Sequence, residues 1–154
     1  MAHYYLDSSA LVKRYVAETG SGRVNTLFAV GSGHTIYTVR LSGAEVVAAL
    51  SLRARAGTLP SANAQTAIMQ FKSEFQGGYQ IIEVNRHLVE TAMALAERHG
   101  LRGYDAVQLA SAVEVQIRRI AHNLSEPVFV CADNQLNSAA LAEGLTIENP
   151  NNYP

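Results

Sequence analysis

Short apolar runs alternate with longer segments of helical spacing along the whole chain, and that alternation leaves few folds open. His3–Leu6 (HYYL), His34–Val39 (HTIYTV), Tyr79–Val84 (YQIIEV), Val128–Ala132 (VFVCA) and Leu145–Glu148 read as strands. Between them, apolar spacing and stop signals predict helices over Ser8–Glu18, Gly22–Val30, Ser42–Arg55, Leu59–Phe75, Asn85–His99, Tyr104–His122 and Asn134–Glu143. Strands that alternate with helices are parallel strands joined by helical crossovers, with helices on both faces. The expected fold is therefore α/β, a three-layer α/β/α sandwich around a mainly parallel sheet. Such sheets bind ligands beyond the carboxyl ends of their strands. No repeat or linker interrupts the pattern, and 154 residues is an ordinary length for one domain, so a single domain over 1–154 is expected.

Composition narrows the classes further. Hydrophobic residues make up 48% and charged residues 16%, which excludes a disordered chain. A net charge of −1 excludes a uniformly basic nucleic-acid coat but leaves room for a local basic groove. Cys131 is the only cysteine, so neither an internal disulfide nor a cysteine-based zinc site can form, and a reducing compartment suits it. The start MAHYYLDSSA lacks the basic and apolar regions of a signal peptide. The uncharged stretch Val24–Val39 is too short and too polar to span a bilayer. These features predict a cytoplasmic protein with no membrane association.

The acids fall in telling places. The only aspartates are Asp7, Asp105 and Asp133. Asp7 follows the first strand and Asp133 follows VFVCA, so both lie on the binding edge expected of this architecture. Asp105 opens the long helix after Leu101-Arg102-Gly103-Tyr104, and Glu45 sits one turn into the apolar helix LSGAEVVAAL. Taken singly, each acid also suits a helix start. Aspartate is a favoured cap, the helix dipole stabilises acids in a first turn, and Ser42-x-x-Glu45 fits a capping box. Taken jointly they are harder to dismiss: Glu45 and Asp105 are the only charges in mostly buried helical stretches, where a carboxylate without a partner is costly. Arg40 and Arg102 are the nearest arginines to Glu45 and Asp105. If the four carboxylates converge, each pair ~4 Å apart repels by about 4 kcal/mol at an effective dielectric near 20. A hard divalent cation removes that repulsion. Mg²⁺ and Mn²⁺ take oxygen ligands, activate water and neutralise phosphate charge. An all-carboxylate pocket at strand ends thus points to metal-dependent phosphate chemistry.

YYLDSSALVKRY, the internal Glu45, LRGYDAVQLASA and VFVCADNQLNSAALAEGL, in this order, resemble the PIN-domain ribonucleases, and among them the VapC-type toxins of type II toxin–antitoxin pairs. The likeness runs from His3 to Pro150, and the Leu101–Ala110 segment is its most specific part. The resemblance implies a PIN-like fold and a Mg²⁺-dependent (or Mn²⁺-dependent) endoribonuclease leaving 5′-phosphate and 3′-hydroxyl ends. The family's acidic quartet falls on Asp7, Glu45, Asp105 and Asp133. Asp7 and Asp105 would be its principal metal ligands, Glu45 would hold a water or a second metal, and Asp133 would complete the cluster. Ser8 or Ser9 stands where the family often has a small polar residue that orders the site; a helix cap is the other reading of both. The resemblance also implies an RNA substrate, a cognate antitoxin that can place a basic residue among the acids, and a homodimer. Val46–Ala56 and Ala62–Phe75 are candidate contact surfaces for the dimer, with ordinary core packing as the alternative.

Other readings meet specific obstacles. A phosphotransfer or switch domain would want tandem acids at the first strand end and a late lysine. Here the strand ends Leu6-Asp7-Ser8, and no lysine follows Lys72. A metal-free nuclease would need paired histidines, and His3, His34, His87, His99 and His122 show no such spacing. A non-catalytic PIN-like module that binds RNA or a partner is the remaining competitor; the complete quartet argues against it. Arg14, Arg53, Arg55, Arg118 and Arg119 are candidates for phosphate contacts, because arginine forks suit phosphate oxygens. Tyr4 and Tyr104 neighbour the acids but suit the core, and Cys131 reads as a small buried hydrophobe.

Overall fold

The computed structural model describes residues 1–154. Its strands are β1 (His3–Leu6), β2 (Thr35–Val39), β3 (Gln80–Ile82), β4 (Val128–Val130) and β5 (Thr146–Glu148). Its α-helices are α1 (Ser8–Leu11), α2 (Ser21–Leu27), α3 (Ser42–Arg55), α4 (Ser61–Phe75), α5 (Arg86–His99), α6 (Gly103–Ala121) and α7 (Asn134–Ala142). The five strands form one wholly parallel sheet in the order β3-β2-β1-β4-β5. β1 is central, pairing Tyr4 with Ile36 of β2 on one side and with Val128 of β4 on the other. The chain builds outward from β1 to β2 and β3, then returns to the other side for β4 and β5. The topological switch therefore lies between β1 and β4, and the crevice beyond their carboxyl ends is where this architecture binds ligands.

The period-two alternation of strand side chains divides the core in two. Tyr5, Val39 and Phe129 face α5, α6 and α7, where Leu88, Leu109 and Leu136 close the layer. Tyr4, Leu6, Ile36 and Val130 face the other way, against Leu11, Leu27, Leu50 and Phe71. Helices thus cover both faces, and the three-layer α/β/α sandwich expected from the sequence is the fold. Each fully buried leucine or phenylalanine contributes roughly 1.5–3 kcal/mol.

Element boundaries differ from the sequence reading in one instructive place. The helix expected over Ser8–Glu18 stops at Leu11 and tightens into a 3₁₀ turn, Val12–Arg14. Lys13 is buried, and its ammonium donates to Glu18 Oε1 (3.1 Å) and to the Thr19 carbonyl (2.9 Å). Those two bonds fold the chain back on itself, which a continuous helix does not allow. Gly20 then sits at φ +86°, and a Cβ there would lie 2.6 Å from the Pro150 carbonyl oxygen, so only glycine fits the return. Elsewhere the ends move by a few residues, as where β4 stops at Val130 rather than Ala132.

Candidate active site

Asp7 ends β1 and caps α1. Its Oδ1 accepts from the Ala10 amide (3.0 Å) and lies 2.7 Å from Ser9 Oγ, while Oδ2 accepts from the Cys131 thiol (3.1 Å) and lies 2.9 Å from Ser9 Oγ. Ser9 has one hydroxyl proton, so three donors serve four lone-pair positions and one position is open. Ser9 also accepts from the Ala132 amide (2.9 Å), tying α1 to the end of β4. Asp7 is 3% exposed. Burial pushes its carboxyl up to about 6, against the hydrogen bonds that favour its charge, and Glu45 adds to the rise.

Glu45, half-buried, lies near enough to Asp7 to raise it. The capping-box reading fails for Glu45: Leu41 occupies the cap position of α3 with no side-chain bond. Instead Glu45 accepts from Ser8 Oγ (2.8 Å) and from Gln108 Nε2 (2.8 Å). Gln108, fully buried on α6, also donates to Ser42 Oγ (2.9 Å), and its carbonyl accepts from Tyr5 Oη (2.8 Å). The tyrosine hydroxyl and the carboxylate together fix which end of the amide faces Glu45. Thr38, which donates to the Leu6 carbonyl (2.9 Å), meets Ser42 and anchors the network to the sheet. Gln108, Tyr5, Ser42 and Thr38 were not picked out from the sequence. Their signal is polarity at positions where the pattern demands apolar residues. Replacing Gln108 with Leu should leave Glu45 under-coordinated, lowering the catalytic activity of the site roughly ten- to a hundredfold with a smaller change in thermal stability; parallel activity and melting measurements test this.

Asp133 caps α7, with Oδ1 accepting from the Leu136 amide (2.9 Å), and is exposed. Asp105 lies half-buried in the first turn of α6. Burial and the Asp133 charge raise its pKa, opposed by Arg102. Electrostatically the acids act in two pairs, with the Glu45 charge felt at Asp7 and the Asp133 charge felt at Asp105. No three acidic, histidine or cysteine side chains are close enough to share one ion as they stand. Nor is any of the four acids neutralised by an ion pair, since the ion-paired carboxylates are Glu18, Glu74, Glu83, Glu114, Glu143 and Glu148. Arg40 takes Glu83, not Glu45. Four carboxylates outside any ion pair and offering only oxygen, with burial and a neighbouring acid raising Asp7 and Asp105, have the donor chemistry of a hard divalent cation site.

The arginines sort themselves. Arg14 is held by both oxygens of Glu74 (2.7 and 2.9 Å), Arg118 by Glu114, and Arg119 is buried against the Ser125 carbonyl and Tyr37. Arg53 lines the cleft that contains Ser8, Ser9 and Glu45.

No protein-family model matches the chain. Individual relatives do. Ribonuclease VapC45 of Mycobacterium tuberculosis is 32% identical over 145 residues, covering 93% of this chain and 92% of the relative. In structure, the chain is similar to VapBC2 from Rickettsia felis bound to a DNA fragment from their promoter, with a TM-score of 0.60 and 17% identity over 96% of this chain and 98% of the other. It is also similar to a toxin–antitoxin complex from Klebsiella pneumoniae, with a TM-score of 0.56 and 16% identity over 96% and 97% of the two chains. The structural likeness carries the fold, and the sequence likeness along nearly the whole length carries the family: this chain belongs to the VapC ribonucleases.

Proposed function

We propose that this protein is a Mg²⁺- or Mn²⁺-dependent endoribonuclease, the toxin of a toxin–antitoxin pair, built as one PIN-like domain over 1–154. The observation that carries this reading is the set of four carboxylates without ion-pair partners beyond β1 and β4, at the switch point of a parallel sheet. Family membership supports the RNA-cleaving part. Asp7, Glu45, Asp105 and Asp133 would hold the cation, with Asp7 and Asp105 as principal ligands. When bound, a divalent cation supplies acidified water and charge neutralisation at the phosphate.

The chain's own residues do the rest. Ser9, Ala10 and Cys131 fix the Asp7 carboxylate and leave one lone pair open. Ser8 and Gln108 hold the Glu45 carboxylate as an oriented acceptor. The α7 cap fixes Asp133. A water held among these acceptors is oriented to attack phosphorus in line, which leaves 5′-phosphate and 3′-hydroxyl ends and needs no 2′-hydroxyl. The test is cleavage of labelled RNA with Mg²⁺ or Mn²⁺, then with EDTA. Cleavage lost in EDTA, with 3′-hydroxyl products, is expected. Cleavage that persists in EDTA, or that gives cyclic phosphate ends, overturns the reading.

The separation of the acids into two pairs gives one alternative some support, a non-catalytic PIN-like module that binds RNA or a partner. Binding without cleavage under both metals would favour it. For partners we infer a cognate antitoxin, in line with the toxin–antitoxin complex to which the fold is similar, and a homodimer. The inward faces of α3 and α4 are core, through Val46, Leu50, Ala67 and Phe71, which leaves exposed Leu52 and Met69 for a second copy. No helix is long and apolar enough to cross a membrane. We assign the protein to the cytoplasm, where its RNA substrate lies.

A further inference from the structure

A cleft of about 440 Å³ runs from the acids to a cluster of the opposite charge. At one end stand Ser8, Ser9 and Glu45; at the other stand Lys13, Glu18 and Arg53. Lys13 is only 6% exposed, and its ammonium uses two of its three donors, on Glu18 and on the Thr19 carbonyl. Arg53 Nη1 lies 2.9 Å from the other oxygen of Glu18, and its side chain is 34% exposed. One carboxylate thus serves two permanent cations. Every other ion-paired acid meets a single arginine, with His99 joining Arg98 at Glu143. The Lys13–Glu18–Arg53 cluster therefore keeps a surplus positive charge, and it does so in the cleft that holds Glu45.

A surplus cation half-covered by protein is poorly solvated, and its unused donors need an acceptor. The ligand chemistry that fits is a phosphate monoanion within a longer chain: an arginine fork and an ammonium, both fixed in place, beside a site that handles a neighbouring phosphate. We propose that Lys13 and Arg53, both held on Glu18, form a second phosphate subsite that binds an RNA backbone phosphate next to the scissile one. This rests on the endoribonuclease reading of the acidic site. Glu18 sets the strength of the subsite, because its charge competes with the incoming phosphate for the same two cations. The subsite reads the backbone and not the base, so it supplies register and not sequence preference.

The experiment is fluorescence anisotropy of a mixed-sequence, single-stranded RNA oligonucleotide with the full chain, in Ca²⁺ to prevent turnover, over a series of KCl concentrations. Melting curves check that each variant is folded. Arg53→Gln should weaken binding roughly tenfold at low salt and make the log–log salt dependence shallower by about 0.7, the loss of one single-strand phosphate contact. Glu18→Gln frees both cations from their acid and should bind more tightly with a steeper dependence. Arg53 is partly exposed on a helix surface, so Arg53→Gln decides the matter even if Glu18→Gln does not fold. An Arg53→Gln slope and affinity equal to wild type overturn the subsite and leave the nuclease reading standing. RNA bound through Arg53 but never cut in Mg²⁺ or Mn²⁺ overturns the nuclease reading instead, and no RNA binding by the wild type overturns both.

Discussion

Asp7→Asn should abolish RNA cleavage, by at least roughly a thousandfold, while making the metal-free protein more stable above pH 6. The first effect follows from removing a principal cation ligand, an interaction worth several kcal/mol at the transition state. The second follows from burial. The Asp7 carboxyl is raised from 3.8 to about 6 in the folded protein, chiefly by desolvation. A raised carboxyl favours its protonated form in the native state. Its contribution to stability is fully present below pH 3.8 and is lost as pH rises through about 6. Above that window the ionised group destabilises the fold by an amount on the order of 1–3 kcal/mol. Asparagine keeps the size and the capping oxygen but carries no charge, so it removes this penalty. Melting temperatures in EDTA should therefore fall from pH 3.8 to about 6 more steeply for wild type than for Asp7→Asn. Stability gained together with activity lost separates a functional acid from a structural cap, because an ordinary N-cap aspartate does not stabilise a protein when it is neutralised.

Cation binding should reverse that penalty. Mg²⁺ or Mn²⁺ that binds only the native state at a hundred times its Kd stabilises by about 2.7 kcal/mol. For a chain of this size that raises the melting temperature by about 5–10 °C. The increment should grow between pH 5 and 7, as Asp7 no longer has to lose a proton to accept the ion. It should vanish in Asp7→Asn and return to baseline on adding EDTA. An equal rise in wild type and variant would place the ion elsewhere.

Much of this was legible in the sequence, for identifiable reasons. Parallel strands buried on both faces carry continuous apolar runs, so HYYL and VFVCA announce themselves locally, and the acids that follow them are placed by the topology alone. The groups that hold those acids are not local. Tyr5 and Gln108 are 103 residues apart, and Ser9 and Cys131 are 122 apart, so no window of sequence contains either pair. Cys131 reads as a small hydrophobe, and it is buried, yet its thiol donates to Asp7. The arginines were indistinguishable on composition. Only the fold shows that Glu74 occupies Arg14 while Arg53 faces the cleft. Ser42-x-x-Glu45 satisfied a local rule and formed no box, because Ser8 and Gln108 offered Glu45 better partners than the helix end did.

Two acid pairs, one from α1 and α3 and the other from α6 and α7, must close on a single cation for the proposed chemistry. Mn²⁺ titration followed by calorimetry, on wild type, Asp7→Asn and Asp105→Asn, tests that closure most directly. The expected result is Mn²⁺ binding to wild type that either substitution weakens by at least about tenfold, since each removes a ligand from the same ion. Binding to Asp105→Asn at wild-type strength would contradict it, leaving Asp7 and Glu45 as a site of their own.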